Sequence, residues 1–284
     1  MNEKYTKKGY LQEDFRLFHT KDDGSQEIDY HYHEFYKLLF LLSGRGTYFV
    51  EGKRYSIKSG DIVLIGYQQV HRPEFEAGTL CERIIFYLSP EFLQRESSSF
   101  CDLTECFSKE YDHVLRPDGK MHQKLFSLAT DIEKELSDGH YGSEISSTGM
   151  LLRLLIELTR GIRQEKVSMP SPILPKNQRI LEILQYIDAH LTEDLDIDLL
   201  AAKFYLSRYH MMRRFKEETG TTIHTYISNG RLLLARDLIS QGGTATDVCF
   251  QCGFGSYSSF SRAYNKFFGT TPTGRAETPE LDFL

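Results

Sequence analysis

The sequence lacks any stretch approaching the roughly 18–20 consecutive apolar residues that a membrane helix needs, so a helical membrane protein is excluded. Its first residues, MNEKYTKKGYLQEDF, have no apolar core of the kind a secretory leader carries, and no membrane partner is expected. Cysteine is scarce. Five thiols, an odd number scattered over 284 residues, argue against a disulfide framework and suit the reducing cytoplasm. No GxxxxGK[ST] phosphate loop and no GxSxG nucleophile elbow occurs, and the many Asp and Glu residues form no convincing catalytic pair. We therefore expect no enzyme, no catalytic residue and no cofactor.

A surplus of basic charge is also missing. Net charge is −6, which alone disfavours a nucleic-acid partner. The distribution is uneven, however. Residues 176–275 carry 12 Lys and Arg against 10 Asp and Glu, whereas residues 1–175 carry 22 against 27. DNA binding would have to come from a local patch. What is present is the balance of a soluble globular chain, 40% apolar and 26% charged, long enough for two domains.

Residues 28–90 read as strands. KLLFLL, TYFV, RYSI, IVLI and RIIFYL are short and rich in β-branched or aromatic residues. Turn signals at Ser43-Gly44-Arg45-Gly46, Glu51-Gly52-Lys53 and Lys58-Ser59-Gly60-Asp61 separate them. Many short strands at close spacing predict a barrel or sandwich. From about Lys120 the period changes to helical. In the second of two amphipathic helices Leu151, Leu155, Leu158 and Ile162 share one face, suited to packing on the barrel or on a second copy. Pro170, Pro172 and Pro175 then mark a semi-rigid linker over 166–175, since proline cannot continue a helix.

Beyond the linker the sequence repeats itself at an offset of 49, from Asp198 and from Asp247. Without a gap Ser207 meets Ser256, Arg213 meets Arg262, and Gly220-Thr221-Thr222 meets Gly269-Thr270-Thr271. Each copy predicts a short helix opened by its Asp as cap, then a tight turn. A longer helix follows, capped by its Ser and stopped by its Gly, which makes a helix-turn-helix unit. Met211 and Phe215 suit the core of the first unit, Phe260 and Tyr264 that of the second. The opposite faces present Arg208, Tyr209, Met212 and Arg213, and Tyr257, Ser258, Ser261 and Arg262. An arginine on such a face can grip guanine in the major groove through two hydrogen bonds. The helical run His224–Ser240 between the copies would space the two readers by about one DNA turn.

The region Arg179–Pro272 closely resembles the DNA-binding domain of AraC/XylS-type transcriptional regulators. The resemblance rests on L-L-A at 199–201, S-R-Y at 207–209, R-R-F-K at 213–216, Gly220, the Y-I…R-L…A-R-D-L-I run over 226–239, D-V-C-F-Q-C-G-F at 247–254, F-S-R at 260–262 and G-T-T-P at 269–272. Tyr264-Asn265 and Cys249 depart from the family's usual Phe-Lys and Ala. The resemblance implies base reading by Tyr209, Met212 and Arg213 in one unit and by Ser258, Ser261 and Arg262 in the other. It also implies promoter DNA and RNA polymerase as partners, activation as the commoner outcome, and a homodimer.

In the strand region His31-Tyr32-His33 and a later His71 resemble the cupin pattern, and the stretch 31–73 looks like the sensor barrel of the same regulators. His31 and His33 share a strand face, and His71 can join them from a neighbouring strand. Three imidazoles would suit a divalent metal. Metal-dependent cupins, however, place a Glu where this chain has Lys37, whose ammonium would repel a cation. No metal is expected. His31, His33, Lys37 and His71 are read instead as donors to a small polar effector, a carbohydrate being the family's commonest class.

The expected fold is therefore two-domain: an N-terminal antiparallel cupin-like β-barrel with flanking helices, and a C-terminal all-α double helix-turn-helix. The expected boundaries are a barrel over 1–118, a helical dimerisation or linker region over 119–165 and the linker over 166–175. The DNA-binding domain follows over 176–275, with units at about 195–220 and 244–269, then a poorly ordered tail over 276–284. Two rival readings stand: a metal-dependent cupin enzyme with a helical appendage, and a module that recruits a protein partner without touching DNA.

Overall fold

The computed structural model describes residues 6–7, 11–26, 28, 30–51, 53–108, 110–174, 177–268 and 270–273. The turn expected at Gly52, the helix stop expected at Gly269 and the tail from residue 274 lie outside them. The chain divides into two compact units, Lys8–Ile173 and Leu174–Leu284, the first seven residues being grouped with the second.

The strands are β1 (Thr6–Lys7), β2 (Phe15–Asp22), β3 (His31–Tyr32), β4 (Tyr36–Ser43), β5 (Arg45–Val50), β6 (Lys53–Lys58), β7 (Ile62–Ile65), β8 (His71–Phe75), β9 (Cys81–Leu88), β10 (Val114–Pro117) and β11 (Val167–Ser168). Every expected strand run falls inside one of them. The larger unit holds a six-stranded sheet of order β11-β10-β7-β4-β9-β2, and a second sheet contains the run β3-β8-β5-β6. The pairings are antiparallel. Between the two sheets lies a core of Leu39, Leu41, Tyr48, Val50, Tyr55, Ile57, Val63 and Ile65. The alternate residues Leu38, Phe40, Ile62, Leu64, Ile84 and Phe86 face the other way, into a second core shared with helices. The central strands β4 and β7 are thus buried on both faces, which is why they read as unbroken apolar runs and not as alternations.

Those helices are α1 (Pro90–Glu96), α2 (Gly119–Asp138) and α3 (Ser143–Arg163). Leu151, Leu155, Leu158 and Ile162 of α3 are buried in the sheet-and-helix core. The leucine face is therefore spent within the chain and is not left for a second copy. The separate region expected over 119–165 is part of the barrel unit. The expected linker over 166–175 is also shorter than its prolines suggest. Val167 and Ser168 pair with Pro117 and Arg116, and Ile173 N donates to Arg54 O at 2.6 Å. Main-chain hydrogen bonds override the proline signal as far as residue 173.

An ion pair between a buried acid and a half-buried arginine braces the barrel. Asp61, 1% exposed at its side chain, accepts from Arg116 Nε and Nη2, both at 2.7 Å, and from Lys58 N at 2.9 Å. Two N–H···O bonds in parallel fix the guanidinium against the carboxylate and offset the cost of taking the acid out of water.

The smaller unit holds α4 (Gln178–Ala189), α5 (Ile197–Lys203), α6 (Arg208–Thr219), α7 (Ile223–Ser240), α8 (Ala245–Gln251) and α9 (Tyr257–Phe268). Helices α5–α6 and α8–α9 are the two helix-turn-helix units, and α7 runs between them for 18 residues, roughly 27 Å.

Candidate functional site

Each unit builds its second helix by the same local rules. Ser207 caps α6 by accepting from His210 N at 3.3 Å, and Gly220, at φ 78°, ends it in the left-handed conformation. Ser256 accepts from Ser259 N at 3.3 Å at the start of α9. Met211 and Phe215 are fully buried among Ile180, Ile183, Ile187 and Ile227. In the second unit Phe260 packs between Phe254 and Tyr264, with ring centroids at 5.1 and 5.5 Å. Cys249 and Cys252 are buried in the same unit, and burial raises both thiols, Cys252 to about 11. They pack as apolar groups.

The first caps differ from expectation. Asp196, not Asp198, caps α5, accepting from Asp198 N at 2.7 Å. Thr244, not Asp247, caps α8, accepting from Asp247 N at 3.3 Å. The Thr244 hydroxyl in turn donates to the Asp247 carboxylate at 2.7 Å. Both aspartates therefore lie in the first turn, where their charge still suits the helix dipole.

The expected reader faces are mostly, not wholly, free. Tyr209 is 78% exposed, and Arg208, Arg213, Ser258 and Arg262 are exposed. Met212 is half-buried against the first unit's core, and Tyr257 is half-buried with its ring edge-on to Phe260 at 6.0 Å. Ser261 is half-buried as well. The i, i+1, i+4, i+5 rule spans an arc wider than the solvent-facing one here, so its flanking positions turn inward. Arg208 pairs with Asp198 at 3.2 Å and Arg213 with Glu217 at 3.8 Å, all four side chains well exposed. Arg262 Nε donates to Ser258 O of its own helix at 3.2 Å. Exposed pairs of this kind contribute about 0–1 kcal/mol, so either guanidinium can exchange its partner for another anion.

Sequence reasoning passed over Arg231 as a working residue. From α7 its guanidinium donates to three main-chain carbonyls: Leu191 at 2.8 Å, Glu193 at 2.6 Å and Gly253 at 2.7 Å. It binds the strut to the loop after α4 and to the turn of the second unit. The available signal was an arginine at a half-buried position of an apolar helix, where a charge persists only if its donors are used.

The second site is a cavity of about 280 Å³ in the barrel unit. Its wall is set by strand register. Thr20 stands opposite Arg83, Lys37 opposite Tyr87, Leu39 opposite Ile85 and Tyr48 opposite Pro73. Of the four expected donors, His31, His33 and Lys37 line it. His71, paired in register with His31, joins the histidines from behind them. The ring centroids of His31–His71 and His33–His71 are 4.3 and 4.5 Å apart. Arg83 and Tyr87, on alternate positions of β9, were missed, because their inward direction depends on pairing with distant β2 and β4.

Burial governs the chemistry of this cavity. It pushes His33 and His71 well below the usual histidine value, with Lys37 adding to the effect, so both imidazoles are neutral near pH 7. Burial, with the Arg83 guanidinium in support, brings Lys37 down to about 7. His71 Nδ1 donates to Gln69 O at 2.9 Å, which leaves Nε2 as a lone-pair acceptor in the neutral ring. That Nε2, both ring nitrogens of His33 and the Tyr48 hydroxyl are buried without a hydrogen-bond partner among the described residues. Arg83 is held by Asp22 and by Thr20 Oγ1 at 3.1 Å.

The cupin-like fold raises the question of a metal. The ligand nitrogens of His31, His33 and His71 lie within 4.8 Å of one another, and spacing alone would suit a tetrahedral ion. The charge does not. Lys37 and Arg83 line the cavity beside them, and no described lining residue is acidic. Among the described lining residues a divalent cation would meet two basic side chains, one of them already paired with Asp22, and no acidic one, so these residues do not fit a metal.

Comparison with known proteins agrees with this two-part organisation. An AraC-like ligand binding domain model matches residues 17–162, just over half the chain, and a helix-turn-helix domain model matches residues 200–275. The HTH-type transcriptional activator RhaS of Escherichia coli O139:H28 is 24% identical over 243 residues, covering 85% of this chain and 85% of the relative. RhaS of Shigella boydii serotype 18 matches to the same extent. Among solved structures, the DNA-binding domain of AdpA in complex with a target DNA is 28% identical, covering 34% of this chain and 88% of that one, with a TM-score of 0.33. ToxT from Vibrio cholerae is 14% identical, covering 92% and 96%, with a TM-score of 0.36.

Proposed function

The chain belongs to the AraC family of DNA-binding transcriptional regulators, and on that premise we propose that it activates transcription in response to a small polar effector. The observation that carries this reading is the duplicated unit. Two capped helices, α6 and α9, each carry an exposed arginine, and Arg231 ties the strut between them to the turn of the second unit. In this reading Tyr209 and Arg213 on α6, and Ser258 and Arg262 on α9, face base edges. Arg208 serves the phosphate backbone, with Met212, Tyr257 and Ser261 setting the helix orientation. Bidentate donation from Arg213 and Arg262 to guanine would supply sequence preference, and phosphate contacts would supply affinity. The RhaS relatives, described as activators, support the sign of regulation.

The cavity supplies the switch. An effector that prefers one arrangement of the chain shifts the population toward it and alters promoter occupancy or contact with RNA polymerase. The protein would act in the cytoplasm, and as a homodimer it would gain affinity through effective concentration. With the leucine face of α3 buried, that dimer would use another surface.

The test is binding of the purified chain to fragments of its own upstream region against random DNA, over a range of salt. A preference that survives rising salt supports the reading, and equal affinity for both at every salt concentration removes it. The metal-dependent enzyme keeps one observation in its favour, the convergence of three histidines. Metal analysis of the purified protein decides it, since near-stoichiometric metal lost in His33→Ala would restore that reading.

A further inference from the structure

The barrel cavity carries a charge pattern that a neutral sugar does not answer. Lys37 is 6% exposed and lines the cavity, with its ammonium 6.0 Å from the Tyr48 ring and no carboxylate in ion-pair range among the described residues. Arg83 lines the same space, its charge offset by Asp22. Asp22 answers the Arg83 charge, whereas an ammonium on Lys37 would be buried with no counter-ion among the described residues, which is costly. Beside them stand the two ring nitrogens of His33 and the Tyr48 hydroxyl, none with a partner among the described residues, which together can accept from and donate to hydroxyl groups. Tyr87, Phe75 and Pro73 supply flat apolar wall. A volume of about 280 Å³ lies at the small end of ligand sites and limits the occupant to a compact molecule.

We propose that the effector is a hydroxylated organic acid, a sugar acid in size and polarity, whose carboxylate rests on Lys37 and whose hydroxyls meet His33 and Tyr48. This rests on the effector reading above and narrows its chemical class. The carboxylate supplies a counter-ion that no described residue gives Lys37, in a charge-assisted hydrogen bond. The hydroxyls satisfy buried polar atoms that would otherwise remain unpaired. Arg83, already paired, sets the sign of the field and is not the primary contact.

The experiment uses the full chain and two matched pairs of probes: galacturonate with galactose, and gluconate with glucitol. Within each pair the acid carries a carboxylate where the neutral partner carries a hydroxymethyl group. Calorimetry and thermal shift are expected to show at least one acid binding on the order of tenfold to hundredfold tighter than its neutral partner, with Lys37→Met abolishing that difference. Without ligand, Lys37→Met is expected to melt no lower than the parent, because it removes a charge conflict. A neutral partner binding as tightly as its acid overturns the carboxylate assignment and leaves the effector reading standing. Neither pair binding, or Lys37→Met melting many degrees lower without ligand, also overturns it. Acid binding that leaves promoter affinity unchanged upholds the ligand class and removes the effector reading instead.

Discussion

Arg231 donates to the carbonyl oxygen of Gly253 at 2.7 Å, and Gly253 itself stands at φ 80°. A Cβ at residue 253 would lie 2.8 Å from Thr192 O and 3.0 Å from Arg231 Cζ. The turn of the second unit and the clamp from the strut therefore require each other. Gly253→Ala is expected to cost about 1–3 kcal/mol, from the left-handed backbone and the displaced guanidinium. Arg231→Ala leaves three carbonyls without their donor and is expected to cost at least as much. Urea denaturation of each variant measures the loss. A cost within 0.5 kcal/mol for both would deny the clamp its role.

Arg213→Ala and Arg262→Ala are each expected to weaken binding to the preferred DNA site by about 1–3 kcal/mol and to relax the preference at one base position. Titration against a set of single-base variants of the site reads this out. Equal weakening on every sequence would reassign the residue to the phosphate backbone.

Much of this was legible because it is local. The strand runs, the serine caps at 207 and 256, the core pairs Met211–Phe215 and Phe260–Tyr264, and the convergence of His31 and His33 follow from spacing within a few residues. What was misread depends on context a local rule does not hold. Asp198 and Asp247 look like caps, but Asp196 and Thr244 are placed by where the preceding chain enters the helix. Met212 and Tyr257 satisfy the free-face pattern, yet Met212 packs on the first unit's core and Tyr257 on Phe260 of its own helix. The leucines of α3 announce an apolar face without naming its occupant, which proves to be the six-stranded sheet and its helices. Arg83 and Tyr87 enter the cavity through pairing with strands more than 40 residues away in sequence. Arg231 makes contacts as far as 40 residues back, to Leu191.

Asp61→Ala is expected to destabilise the barrel unit by about 1–3 kcal/mol, because it unpairs the half-buried Arg116 guanidinium and releases Lys58 N. The change should appear in denaturant midpoints. Recovery in a double variant that also replaces Arg116 by Met would show that the unpaired charge, and not a lost packing contact, is the cause.

Acid should unfold the chain earlier than its carboxylates alone require. His113 is buried, and burial, with Lys53 adding to it, lowers its pKa from 6.5 to about 4; His33 and His71 shift the same way. Each folded value lies below the unfolded one, so the stability from keeping these rings neutral is complete above pH 6.5. It is lost as pH falls, through about 4 for His113. Over that window His113 is expected to account for on the order of 1–3 kcal/mol. From pH 7 to pH 4.5 the thermal midpoint of the parent should fall more steeply than that of His113→Phe. Parallel curves would show that the ring takes up its proton without penalty.

The most direct measurement is a missing-contact footprint of the full chain on its preferred DNA site. Two major-groove patches about one helical turn apart, on one face of the duplex, are expected, with Arg213→Ala erasing one and Arg262→Ala the other. A single patch, or two that both survive these substitutions, would contradict a two-unit reader carried by one chain.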